Sequence, residues 1–137
     1  MGRLMAIDMG RRRCGIAVTD PLRIVANPLT TVPTAELCER VVAYIAAEGL
    51  DGVVVGRPTD MHGRPSDSTR YIDPVVGRLR KLIAPVPVVY ADERFTTVLA
   101  RRAMIDGGMK KSDRRVKRDI DAISASILLN DYITYNQ

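Results

Sequence analysis

The stretch Asp51-Gly52-Val53-Val54-Val55-Gly56 restricts the fold more than any other part of the chain. Its valine run shows no polar alternation, and a continuous β-branched run reads as a strand covered on both faces. Such a strand needs a layer on each side, which makes the chain an α/β protein with helices packed over a sheet. Val86 to Ala91 repeats the pattern as a second buried strand. Between the two, Ile72, Val75, Val76, Leu79, Leu82 and Ile83 recur at helical spacing, with Ser66 or Asp67 as cap and with Pro74 implying a late or irregular start. A strand-helix-strand step of this kind demands a right-handed parallel crossover.

Upstream, Arg3 to Asp8, Cys14 to Asp20 and Ile24 to Val32 are three short apolar runs separated by about five residues, which suits an antiparallel meander. Thr34 is placed to cap a helix carrying Leu37, Val41, Tyr44 and Ile45 inward and ending at Gly49. Beyond the last strand a helix is expected from about Thr96 to Gly107-Gly108. A final helix follows from Ile120 to Tyr132 with Ile120, Ile123, Ile127 and Leu128 inward. The expected fold is one α/β domain spanning 1–137, a five-stranded mixed sheet flanked by helices.

Composition narrows the chemistry. The chain has 137 residues and a formal charge of +5, and the surplus is local: Lys110 to Arg118 holds six cations against one anion, while the remainder balances. Of the 21 cations 17 are arginine, whose planar fork suits phosphate oxygens, so nucleic acid is the partner that charge favours. The longest stretch without a charged residue, Ile24 to Ala35, contains Pro28 and Pro33, so no membrane span is expected. With Asp8 and Arg11 to Arg13 so near the start, no secretory signal is expected, and the location expected is cytoplasmic. Cys14 and Cys38 lack metal-ligand spacing and read as small buried hydrophobes. A single histidine, His62, excludes paired-histidine zinc sites.

Ligands in such sheets sit outside the carboxyl ends of the parallel strands. Asp8 falls after the first strand, Asp92 and Glu93 after the last, and Asp121 in the first turn of the final helix, where Ala122 and Ala125 allow close approach to the sheet. Carboxylates gathered together repel unless a cation lies between them. Oxygen ligands without Cys or His favour Mg²⁺ or Mn²⁺, the ions that serve phosphodiester hydrolysis. Taken singly, Asp8 and Asp92 also suit turns or caps, and Asp121 suits a helix N-terminus. Strand alternation decides whether Asp92 or Glu93 faces inward; Glu93 is taken here as the site residue.

Asp8-Met9-Gly10-Arg11-Arg12-Arg13-Cys14-Gly15-Ile16-Ala17 resembles the D-x-G-x-(K/R)-R-x-G-x-A opening of the YqgF/RuvX family of pre-16S rRNA nucleases and Holliday junction resolvase homologues. Gly56-Arg57-Pro58 with Gly63 is similar to that family's G-L-P-x-x-x-D-G loop. Asp92 to Thr97 resembles its D-E-R-(L/F)-(S/T)-T motif, and Lys117 to Ala125 its K-x-x-x-D-x-x-(A/S)-A ending. The resemblance implies a ribonuclease H-like fold and an acidic metal site on Asp8, Glu93 and Asp121. Two departures stand out: Arg57 where the family has Leu, and His62 where it has a carboxylate.

Nucleic-acid contacts are expected from Arg11, Arg12, Arg57, Arg94, Lys110, Lys111, Arg114, Arg115, Lys117 and Arg118, the substrate being structured RNA or branched DNA and the protein a monomer or homodimer. Arg57 also reads as an exposed substitution and Arg94 as a surface ion-pair partner. The resemblance favours processing of the 5′ end of precursor 16S rRNA, and resolution of Holliday junctions is the alternative. A non-catalytic nucleic-acid-binding module is the reading from another class, although it has no need of three converging carboxylates. An actin-like phosphotransferase would need a second lobe, and neither common nucleotide loop motif is present.

Overall fold

The computed structural model describes residues 2–58, 69–93 and 114–135. Five strands, β1 (Leu4–Met9), β2 (Arg13–Thr19), β3 (Ala26–Pro33), β4 (Gly52–Pro58) and β5 (Val88–Glu93), form one sheet in the order β3-β2-β1-β4-β5. The meander β1-β2-β3 is antiparallel, and β4 and β5 add in parallel beside β1, so the mixed five-stranded sheet is as expected. Helices α1 (Leu37–Glu48) and α2 (Thr69–Ile83) cover one face, and α3 (Arg114–Tyr135) covers the other.

The two faces are built from different residues. Toward α1 and α2 the sheet presents Met5, Ile7, Ile16, Val53 and Val55, meeting Leu37, Val41, Ile72, Val76 and Leu79. Each of these larger side chains contributes about 1.5–3 kcal/mol on burial. Toward α3 it presents Ala6, Ala17 and Ala26 with Val54, meeting Ala125, Leu128, Leu129 and Ile133. Alternation along β4 divides its valines between both cores, as a strand covered on two sides requires.

Several boundaries differ from the sequence reading. Ile24 and Val25 precede β3 in a turn organised by Asp20, whose carboxylate accepts backbone N–H bonds from Leu22, Ile24 and Val25. Those bonds, chiefly the one from Val25, hold the Asp20 carboxyl below its ordinary pKa. Thr34 does not cap α1. A single 3₁₀ turn, Thr34–Glu36, leads into the helix, and the Thr34 hydroxyl donates instead to the Gly10 carbonyl at 2.8 Å. Pro74 lies inside α2, which begins five residues before it, and Leu82 is exposed. β5 runs two residues further than expected, so Asp92 and Glu93 are its last two residues.

The largest correction concerns α3. It begins at Arg114, six residues before the expected start, so Arg114, Arg115, Lys117 and Arg118 belong to its first turns and Asp121 is its eighth residue. Its buried stripe is Ala122, Ala125, Leu128, Leu129 and Ile133, with Ile123 and Ile127 half-buried. The predicted cap at Ser66 or Asp67, the helix from Thr96, and His62, Arg94, Lys110 and Lys111 lie outside the described residues. So do the side chains of Asp92, Glu93, Ile120, Arg114, Arg115, Lys117 and Arg118.

Candidate active site

β1 and β2 are joined by a tight hairpin in which the Gly10 N–H donates to the Arg13 carbonyl at 3.0 Å. A Cβ on Gly10 would come within 2.5 Å of that carbonyl, so the turn needs glycine there. Thr34 braces the turn twice, through its hydroxyl on Gly10 and through its N–H on the Arg12 carbonyl at 2.9 Å. The hairpin fixes the end of β1 and with it Asp8.

Asp8 is 5% exposed and pairs across the hairpin with Gly15. It has the strand parity of Leu4 and Ala6, both of which belong to the α3 face. Gly15 lies on the same side, since directly paired residues share a face. At that point α3 lies directly against the strand: a Cβ on Gly15 would collide with the Asp121 carbonyl. Helix backbone therefore rests on strand backbone at Gly15, and this contact sets Asp121 beside the residue opposite Asp8. At the far end of α3, the Asn130 side-chain amide accepts from the Ala26 N–H at 2.9 Å and donates to the Ala26 carbonyl at 3.4 Å, which ties the helix to β3.

Arg13, at the start of β2, shares the parity of Gly15, and its Nε donates to the Asp121 carboxylate at 2.5 Å. This residue was absent from the sequence-derived set, which took its neighbours Arg11 and Arg12. The available signal was spacing: Arg13 and Gly15 are two apart on a strand and must face the same way. Cys14, one step out of phase, lies on the opposite face, where burial pushes its thiol up and the fields of Asp8 and Asp121 add to the rise. Both cysteines are buried and free, as the sequence reading expected.

Arg57 ends on the other side of the sheet. It has the parity of Val53 and Val55, and its guanidinium lies 4.7 Å from the centre of the Tyr90 ring. Its Nε is buried without a hydrogen-bond partner, an arrangement that ordinarily costs about 1–3 kcal/mol. Arg11 is exposed in the hairpin turn, 5.6 Å from the Tyr71 ring of α2, and Arg12 is exposed beside it.

The donor set fits a hard divalent cation. Asp8 and Asp121 supply carboxylate oxygens at one end of the sheet, with no sulfur or imidazole among them, and the close approach at Gly15 holds their backbones together. Among the described residues no group of three metal-ligating side chains is assembled, and the third predicted member, Glu93, has its side chain outside them.

A family model described as RuvX, Holliday junction resolvase, matches residues 2–135. Proteins bearing the name pre-16S rRNA nuclease are similar over nearly the whole chain. One from Phocaeicola vulgatus is 49% identical over 133 residues, covering 97% of this chain and 96% of that protein. Another, from Porphyromonas gingivalis, is 42% identical with the same coverage. Among solved structures, the RuvC of Thermus thermophilus in complex with a Holliday junction substrate superposes with a TM-score of 0.59 at 16% identity, covering 99% of this chain and 97% of that one. A fowlpox virus resolvase bound to Holliday junction DNA gives 0.57 at 13% identity, covering 97% of each chain. These likenesses show that the chain has a ribonuclease H-like fold.

Proposed function

The chain belongs to the RuvX family, and from that premise we propose that it is a divalent-metal-dependent endonuclease that hydrolyses phosphodiester bonds in the 5′-end processing of precursor 16S rRNA. The observation that carries the reading is the pinch at Gly15, which brings Asp121 on α3 beside the strand position paired with Asp8. Asp8, Glu93 and Asp121 would hold Mg²⁺ or Mn²⁺. The bound ion would supply an activated water and stabilise the leaving oxygen.

The extended β5 supports Glu93 over Asp92. Glu93 has the strand parity of Ala91, which packs with the α3 core, whereas Asp92 has the parity of Tyr90 on the opposite face. Arg13 holds the Asp121 carboxylate in one orientation through a charge-assisted bond. The basic segment that ends in the first turns of α3 leads directly into Asp121, so the residues that hold a polyanion and a residue that helps cut it share one helix. No helix among the described residues is long and apolar enough to cross a membrane, and precursor rRNA is a cytoplasmic substrate.

Holliday junction resolution is the second reading, favoured by the description of the matching family and by the fold shared with two junction-bound resolvases. Paired nicks on opposing strands would require a symmetric dimer, whereas trimming a precursor can be done by a monomer. Cleavage of precursor 16S rRNA and of a four-way DNA junction, side by side with mapped cut sites, separates the two. Asp8→Asn should lower the cleavage rate on the order of 10³-fold while binding holds or tightens. Metal-independent cutting, or full activity in Asp8→Asn, would sink the nuclease reading; no cutting by the wild type would favour a binding module.

A further inference from the structure

The surplus charge that the sequence concentrates near Asp121 has a counterpart on the other face of the sheet, visible only once the chain is folded. Helix α2 carries Arg70, Arg78, Arg80 and Lys81 against Asp73 alone. At the carboxyl end of the sheet it is joined by Arg11 from the hairpin and Arg57 from β4. Two tyrosines hold three of these arginines in place. Arg11 lies over Tyr71, and the Tyr90 ring is flanked by Arg57 at 4.7 Å and Arg80 at 5.4 Å.

These guanidiniums are held against aromatic rings. Among the described residues Arg11, Arg57 and Arg80 enter no ion pair. The carboxylate beside Tyr90, Asp73, accepts the Tyr90 hydroxyl at 2.7 Å. Arg80 is anchored by two bonds to the Val88 carbonyl, at 3.1 and 3.3 Å. A guanidinium laid over a ring keeps its in-plane N–H groups for an anion, and the ring restricts it before the anion arrives. The Nε of Arg57 is buried without a hydrogen-bond partner.

Asp8 and Asp121 belong to the α3 face and Arg57 to the α2 face, so one extended strand passing the carboxylates does not also pass the tyrosine-backed arginines. We propose that Arg11, Arg57 and Arg80, on Tyr71 and Tyr90, form a second phosphate track that grips the backbone of the strand not being cut, so that the preferred ligand is a duplex or branched nucleic acid straddling the sheet end. This rests on the nuclease reading for the nature of the ligand, but it concerns binding and not turnover.

The test is fluorescence anisotropy with a labelled RNA duplex, a four-way DNA junction and the matching single strand, over a salt series with chelator present. Arg57→Leu and Arg11→Ala should each raise Kd for duplex and junction roughly 3- to 10-fold and reduce the salt slope by about 0.9 per lost contact. The single strand should change by less than about twofold, and Arg40→Ala on α1 should leave every arm unchanged. Arg11 lies in an exposed turn, so its variant reports even where Arg57→Leu is poorly folded. Unchanged duplex affinity and slope in a folded Arg11→Ala, or an equal loss on the single strand, would overturn the proposal. Absence of cleavage by the wild type on any substrate would fail the nuclease reading and leave this result standing.

Discussion

The two faces of the sheet end in opposite chemistry because they are packed with residues of different size. On the α3 face, Ala6, Ala17, Ala26 and Gly15 let a helix settle onto strand backbone, and the reward is an acidic pair held beside β2. On the α1 and α2 face, Met5, Ile7, Ile16 and Val55 hold the helices a full side chain away. The space above the sheet end on that side is occupied by tyrosine rings and the arginines laid on them. On the proposed reading, close approach would make a place for a small, hard cation and the wider spacing a surface for an extended polyanion.

Breaking the close approach is the strongest test of that contrast. Gly15→Ala forces the α3 backbone off β2, which should cost about 1–3 kcal/mol of stability by overpacking and lower cleavage roughly 10²-fold through misplacement of Asp121. Leu79→Ala, fully buried on the opposite face, should cost more stability, about 2–5 kcal/mol, yet leave the rate per folded molecule within about twofold. Urea melts with single-turnover cleavage check both. Equal rate losses in the two variants would show that the carboxylate site depends on overall stability and not on the contact at Gly15.

A smaller effect is expected at Arg13. Arg13→Gln removes a charge-assisted bond to Asp121 and should raise the Mg²⁺ concentration for half-maximal cleavage about tenfold, with Arg13→Lys recovering part of the loss. A lower requirement for Mg²⁺ would show that Arg13 competes with the ion for Asp121.

The smallest effect belongs to the aromatic side. Burial, then the bond to Asp73, pushes the Tyr90 hydroxyl from an ordinary 10 up to about 12. Because the folded state favours the protonated form, its contribution to stability is intact below pH 10 and lost as the pH rises toward 12. Tyr90→Phe should flatten the fall of Tm over that range and remove a tyrosinate that titrates near 12 from the 295 nm curve. An unchanged alkaline limb would mean that the Tyr90–Asp73 bond does not persist in solution.

Much of this architecture was legible in local pattern. The unalternated valines of β4, the Leu37-Val41 stripe of α1 and the glycine that ends that helix need only neighbouring residues to act, and they act as expected. Gly49 ends α1 with φ +78° and returns its N–H to the Ile45 carbonyl. Local pattern and structure part where a distant partner decides. Thr34 has the composition of a cap, but the Gly10 carbonyl 24 residues away captures its hydroxyl. α3 starts before its apolar stripe because charged residues near a helix end carry no such stripe, although they continue a helix as readily as others do.

By itself, the sequence determined the element types, the mixed sheet and the acidic and basic residues available to it, because hydrophobic period, glycine and charge act over a few residues. Tertiary structure alone decided which residues became neighbours. Gly15 acts as a contact point only because α3 crosses there, Arg13 finds Asp121 across 108 residues, and Arg57 finds Tyr90 through strand parity and adjacent register. The physical reason is that side-chain direction follows from each residue's own strand, whereas its partner is set by how the other layer packs, and packing depends on the volume of every residue between them.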